Sequence, residues 1–174
     1  MTGVLDHPAA LAIDVAEPSP LWRQHLPTVE RLCAEAARAA LAGTGTALEG
    51  AAELSIVLGD DGLLRGLNRQ WRGVDKPTNV LSFPALDPGP APEGAPRLLG
   101  DVVLAFETVR NEAADQGKPL ADHLGHLVVH GVLHLLGFDH EDAAEAERME
   151  ALETAVLAGI GVPDPYHPAE ARHG

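Results

Sequence analysis

Cysteine is almost missing. Cys33 is the single one in 174 residues, which excludes an internal disulfide and fits a reducing compartment. It falls in the pattern Val29, Leu32, Cys33, Ala36, Ala37, the inner stripe of a helix, and so reads as a small core residue rather than a nucleophile. Long apolar runs are also lacking: none approaches the roughly 20 residues that a membrane span requires. The N-terminus has no basic stretch leading into an apolar one, so no secretion signal is expected. These absences predict a cytoplasmic protein with no membrane attachment. Basic residues are scarce too, 12 Lys and Arg against 26 Asp and Glu, for a net charge of −14. Such a balance repels nucleic acid on average, so a polyanionic substrate would need a locally basic cleft. Arg65, Arg69, Arg72 and Lys76 form the local candidate, a modest one because the region also carries Asp60, Asp61 and Asp75.

What is present is a foldable chain. Hydrophobic residues make up 45%, which argues against global disorder, and the length suits a single domain over residues 1–174 with its own core. Residues 11–15, 53–58, 79–83 and 101–105 read as strands. Residues 21–42 carry a helical stripe that ends at Gly43 and Gly45. Asp60 or Asp61 caps a helix to about Trp71. Residues 84–97 hold five prolines and read as a loop between strands of one sheet. Helices follow at 106–116, at 119–136 and at 141–158, the Glu residues of the last forming its solvated face. The tail from about 159 should be irregular. The expected class is α+β: a small, mainly four-stranded sheet packed with about five helices. The segment 119–136 is apolar nearly all round and therefore a buried central helix.

That central helix carries the chemistry. His130, His134 and His140 stand at the spacing H-x3-H-x5-H, with Gly137 three residues after the second. Positions i and i+4 of a helix share a face, roughly 6 Å apart along the axis, so His130 and His134 can hold one metal ion. A glycine past the helix end takes the left-handed conformation and reverses the chain, which can return His140 to the same ion. Three imidazoles leave a fourth tetrahedral position for water, the mark of a catalytic rather than a closed structural zinc site. Zinc is expected, although nickel, copper or iron would accept the same nitrogens. His126, one turn before His130, reads as a hydrogen-bonding partner, as does His123. His7, His25, His167 and His173 read as surface residues.

Zinc held by three histidines lowers the pKa of its water to about 7 and polarises carbonyl or phosphoryl oxygens. In zinc peptidases the residue after the first histidine is a glutamate acting as general base. Here it is Gly131, which weakens the peptidase reading. Asp101, Asp139 and Glu141 are the carboxylates available to replace it, Asp139 fitting better as a partner of a ligand or a turn former.

Read as a whole, His130-Gly-Val-Leu-His134-Leu-Leu-Gly-Phe-Asp-His140 resembles the metal motif of the YbeY family, bacterial endoribonucleases and rRNA maturation factors. The block from Asn68 to Pro84, containing Arg72-Gly-Val-Asp-Lys76-Pro-Thr-Asn79-Val-Leu-Ser82, is similar to that family's other signature. Leu99-Gly-Asp-Val-Val and Met149-Glu-Ala-Leu-Glu153 match as well. The resemblance implies a zinc-dependent, single-strand-specific endoribonuclease acting in 16S rRNA 3′-end maturation and ribosome quality control. It implies a 16S rRNA precursor as substrate and the ribosome or small-subunit assembly proteins as partners. It places the zinc on His130, His134 and His140 and a functionally important arginine at Arg72. Arg72 would hold phosphate oxygens and stabilise charge in the transition state, acting with His130 in catalysis. Lys76, Asn79 and Ser82 would contact RNA or shape the cleft. Two other readings stand beside it: a peptidase-like metallohydrolase, and a non-enzymatic ribosome-assembly factor whose zinc stabilises the fold.

Overall fold

A computed structural model describes residues 11–45, 51–85, 97–138 and 141–166. In chain order they form β1 (Leu11–Ala16), α1 (Leu21–His25), α2 (Val29–Thr44), β2 (Ala52–Gly59), α3 (Asp61–Arg72), β3 (Val80–Pro84), β4 (Arg97–Ala105), α4 (Phe106–Gln116), α5 (Leu120–Leu135) and α6 (Ala143–Gly159). The sheet order is β1-β2-β4-β3. β1, β2 and β4 run parallel, and β3 lies antiparallel to β4 on the edge. The fold is α+β with a mixed four-stranded sheet and six helices.

The sixth helix comes from a proline. Residues 21–42 read as one helix in the sequence, but the chain breaks between α1 and α2. Pro27 forces the residue before it out of the helical region, and Leu26 has φ −135 and ψ 87. β4 also starts earlier than its apolar run, at Arg97. Its first residues are exposed or half-buried except Leu99, so the strand expected at 101–105 extends back to a part of the chain with little apolar signal. Of the proline-rich stretch, 86–96 lie outside the described residues.

Strand alternation sorts side chains between two cores. In β2, Ala52, Leu54, Ile56 and Leu58 are buried while Glu53 is exposed. This face packs with α2, α5 and α6 into the main core, beside Trp22 and Phe106. Trp22 is fully buried, donates Nε1–H to the Gly59 carbonyl at 2.9 Å and meets Phe106 edge-on at 5.1 Å. The opposite face carries a smaller cluster, Leu81, Val103 and Ala105, under Leu64 of α3.

The placement of α5 matters most for function. The helix crosses the sheet so closely that a Cβ on Gly131 would lie 2.7 Å from Val102 Cγ1 and 3.0 Å from Ser82 Oγ. The Ser82 hydroxyl donates to the Gly131 carbonyl at 3.0 Å, tying helix to edge strand. Gly131→Ala should therefore destabilise the protein by about 1–3 kcal/mol, the usual range for overpacking. Urea unfolding measures this, and an unchanged midpoint would mean that α5 lifts off the sheet without cost.

Candidate active site

His130 and His134 occupy successive turns of α5, near its C-terminal end. Their Nε2 atoms face each other at 3.1 Å, with ring centroids 4.6 Å apart and planes at 77°. Two nitrogens bound tetrahedrally to one zinc stand roughly 3.4 Å apart, given Zn–N bonds of about 2.0–2.1 Å. The pair fits a shared ion within a few tenths of an ångström. α5 ends at Leu135, and Gly137, at φ 101, turns the chain back as its position in the sequence predicts. Asp139 and His140 lie outside the described residues. Among the described residues no third His, Cys, Asp or Glu completes a metal-binding group.

The orientation of His130 is set from behind. Its Nδ1–H donates to Glu153 Oε2 at 2.6 Å, so Nε2 carries the lone pair, the form in which an imidazole ligates an ion. His126 Nε2–H donates to the other carboxylate oxygen at 3.0 Å, and the Tyr166 hydroxyl donates to that same oxygen. Glu153 is fully buried. The periodicity of α6 placed it on a solvated face, and the structure corrects that. A carboxylate surrounded by three donors is worth burying, a signal invisible in a helix rich in Glu and Ala. Burial pushes the Glu153 carboxyl up, but the hydrogen bonds from His126 and His130 outweigh it and hold the group at about 2. It is ionised at neutral pH and can only accept, which fixes the tautomers of both histidines. Burial and the neighbouring carboxylate push the Tyr166 hydroxyl up, keeping it a donor.

One turn further back, His123 Nε2–H donates to Glu112 at 2.8 Å. Burial pulls the His123 imidazole down, against the raising effect of Glu112. Glu112 also accepts from Asn79 Nδ2 at 3.0 Å, linking the start of β3 to α4 and α5. The ring Nδ1 atoms of His123 and His126 are buried without a hydrogen-bond partner among the described residues.

A cleft of about 780 Å³ opens along the edge strand β3, lined by Trp71, Arg72, Asn79, Ser82, His130 and His134 among others. Arg72 is the last residue of α3. Gly73 closes that helix, with its N–H on the Arg69 carbonyl at 3.1 Å. Asn68 is buried, and its Nδ2 donates to the Lys76 carbonyl at 2.9 Å, holding the turn that follows. The basic patch seen in the sequence divides here. Arg65 pairs with Asp75 at 2.8 Å and Arg69 approaches the same carboxylate at 4.0 Å. The hydrogen bond from Arg65 holds the Asp75 carboxyl below its ordinary value. Among the described residues neither Arg72 nor Lys76 makes an ion pair, and of the two only Arg72 lines the cleft. Asn79 and Ser82 line it with their polar groups engaged: the Asn79 side-chain Oδ1 accepts from Val80 N–H at 2.6 Å, and Ser82 holds Gly131.

Of the carboxylates considered as general base, Asp139 lies outside the described residues, and Asp101 and Glu141 do not line this cleft. Asp101 precedes Val102, which packs against α5, so alternation sends Asp101 to the far side of the sheet. There it lines a separate groove with Asp14 and Glu53. Glu141 is exposed beyond the turn. Cys33 is buried in the main core, as its stripe predicts, and burial pushes its thiol up to about 12. Among the described residues no helix is long and apolar enough to cross a membrane.

The chain is similar in sequence and fold to known proteins. The sequence model of a family described as "Endoribonuclease YbeY" matches residues 23–161. A relative from Paramagnetospirillum magneticum named "Endoribonuclease YbeY" is 58% identical over 90% of this chain and 94% of its own. Another of the same name, from Nitrobacter hamburgensis, is 49% identical over 97% of this chain and 89% of its own. A solution structure from Thermotoga maritima shares the fold, with a TM-score of 0.51 at 22% identity, covering 92% of this chain and 95% of that one.

Glu153→Gln tests the hub behind His130. An amide cannot accept from three donors, so metal affinity should fall about 10- to 100-fold, read by chelator competition. The variant should also be less stable without metal. The carboxylate's folded value lies below its ordinary 4.5, so its contribution is complete above 4.5 and lost as pH falls toward about 2. Urea midpoints of wild type and variant should therefore differ at neutral pH and converge over that acidic window. A gap independent of pH would rule out the ionised carboxylate as its source.

Proposed function

The chain belongs to the YbeY family of endoribonucleases, and on that premise we propose a zinc-dependent, single-strand-specific enzyme that cuts phosphodiester bonds in the cytoplasm. Its substrate in this reading is the 16S rRNA precursor, processed at the 3′ end, with a further part in ribosome quality control. The observation that carries the reading is one cleft with two kinds of group on its walls. Two imidazoles face each other at 3.1 Å, and Arg72, free of ion pairs among the described residues, lines the same cleft. His130 and His134, with His140 from the motif, would hold the zinc. Bound there, zinc would supply Lewis acidity toward a phosphoryl oxygen and activate water for hydrolysis.

The chain's own groups would do the rest. Arg72 presents five N–H donors in a rigid fork suited to two phosphate oxygens at once, so it would hold the scissile phosphate and offset its developing charge. Glu153 keeps the His130 Nδ1–H occupied and the ring directed into the cleft. Ser82 and Asn79 shape the cleft wall through their bonds to Gly131 and Glu112, and Lys76 would meet the RNA backbone just outside it. The peptidase-like alternative loses further ground. A Cβ at position 131 would lie 2.7 Å from Val102 Cγ1, so a glutamate there would have to push α5 off the sheet. The net charge of −14 supports weak intrinsic RNA affinity and delivery of substrate by the ribosome or small-subunit assembly proteins.

Metal analysis coupled to cleavage of a single-stranded RNA tests the proposal. His134→Ala should lose both bound zinc and cleavage. Arg72→Ala should keep zinc and fold while cleavage falls about 10²- to 10³-fold, the usual loss for one donor at developing charge. Cleavage unchanged in both variants would assign the activity to a contaminating nuclease. Folding that collapses with zinc removal, in a protein that never cleaves, would favour a structural zinc in an assembly factor.

A further inference from the structure

The two tryptophans of this chain have opposite fates. Trp22 is fully buried with its indole N–H on the Gly59 carbonyl. Trp71 is 64% exposed, the most exposed large hydrophobic among the described residues, none of which accepts a hydrogen bond from its N–H. An isolated exposed apolar residue is ordinary. Trp71, however, lines the same cleft as Arg72, His130 and His134. It is also buttressed: Phe83 of β3 lies 6.1 Å away between centroids with planes at 57°, within the range of favourable aromatic pairs. The last turn of α3, closed at Gly73, thus offers a supported indole and a guanidinium at consecutive positions.

We propose that Trp71 is the base-binding platform of this cleft, stacking one unpaired nucleobase of the RNA while Arg72 holds a neighbouring phosphate. The proposal rests on the endoribonuclease reading and deepens it by assigning the preference for single strands to a residue. Stacking on an aromatic ring needs a base with a free π-face. Single strands offer one at every base, whereas in a duplex both faces are already covered by neighbouring pairs. The indole therefore selects against duplex without reading sequence, because every base has a π-face. Its neighbour supplies the charge: in a chain with net −14, Arg72 is the cleft's cation not committed to an ion pair among the described residues. A nucleotide held by both would lie across the edge strand β3, toward His130 and His134.

The test uses tryptophan emission of the full-length protein, kept under chelator so that no RNA is cut. A short oligouridylate serves as the single-stranded probe and a self-complementary RNA of equal length as the duplex control. Trp22 is buried and gives a constant background. The single strand should quench emission saturably and the duplex should not. Trp71→Ala should abolish the quench and weaken oligouridylate binding, read by filter retention, roughly 5- to 100-fold, the range measured for one stacked base. Trp71→Phe, which keeps an aromatic face, should restore most of that affinity. With zinc restored, Trp71→Ala should raise KM for the single strand and leave kcat nearly unchanged. Wild-type affinity in Trp71→Ala, or equal quenching by duplex, would overturn the proposal. Stacking that persists in a wild type unable to cleave with zinc would sink the nuclease reading and leave the platform standing.

Discussion

The buried carboxylate of Glu153 is the interaction on which the site's geometry depends. Removing a charge from water costs several kcal/mol unless it finds partners, and Glu153 finds three: His126 and His130 from α5, and Tyr166 from the segment after α6. None of the three pairs is independent of the others. Their joint geometry fixes how α6 lies along α5, brings the residues after α6 back over the core, and chooses the tautomer of His130. An ionised Glu153 cannot donate, so each imidazole must present N–H to it. The Nε2 of His130, on the opposite side of the ring, thereby carries the lone pair and faces His134.

A second constraint acts from the sheet. α5 rests on Val102 and Ser82 through a glycine, and the absence of a side chain at position 131 lets the helix sit against the edge strand. The close approach puts the imidazoles at the rim of β3 rather than above the middle of the sheet. Across that same rim stands the end of α3, with Trp71 and Arg72. Charge is then sorted locally. Asp75 occupies Arg65 and approaches Arg69, so a four-residue basic run narrows to one cation inside the cleft. An acidic protein whose cleft holds, among the described residues, one guanidinium without an ion pair together with two imidazoles attracts phosphate there and repels polyanions elsewhere.

Much of this was legible in the chain. Period 3.6 in residues 119–136 marks a buried helix, and the interval of four between His130 and His134 puts them on one face whatever surrounds them. Gly137 announces the turn, and Gly131 announces that no base follows the first histidine. The four strands follow from alternation and apolar runs. The break at Pro27 was legible too, since a proline restricts its predecessor, but the uninterrupted apolar stripe masked it. Glu153 was not legible. Its helix has Glu at many positions, and nothing local distinguishes the one whose partners lie 23 and 27 residues away.

The sequence by itself determined what depends on neighbours along the chain: helix faces, caps, the turn at Gly137, the spacing of the imidazoles and the family motif that contains them. Tertiary structure decided what depends on partners distant in sequence. It chose which glutamate is buried, which arginine stays unpaired in the cleft, which tryptophan faces solvent, and that Asp101 turns away from the histidines. The division has a physical cause. Backbone geometry repeats with a period that a local reading recovers, whereas desolvation and ion pairing depend on which surfaces meet when α5 and α6 close over the sheet.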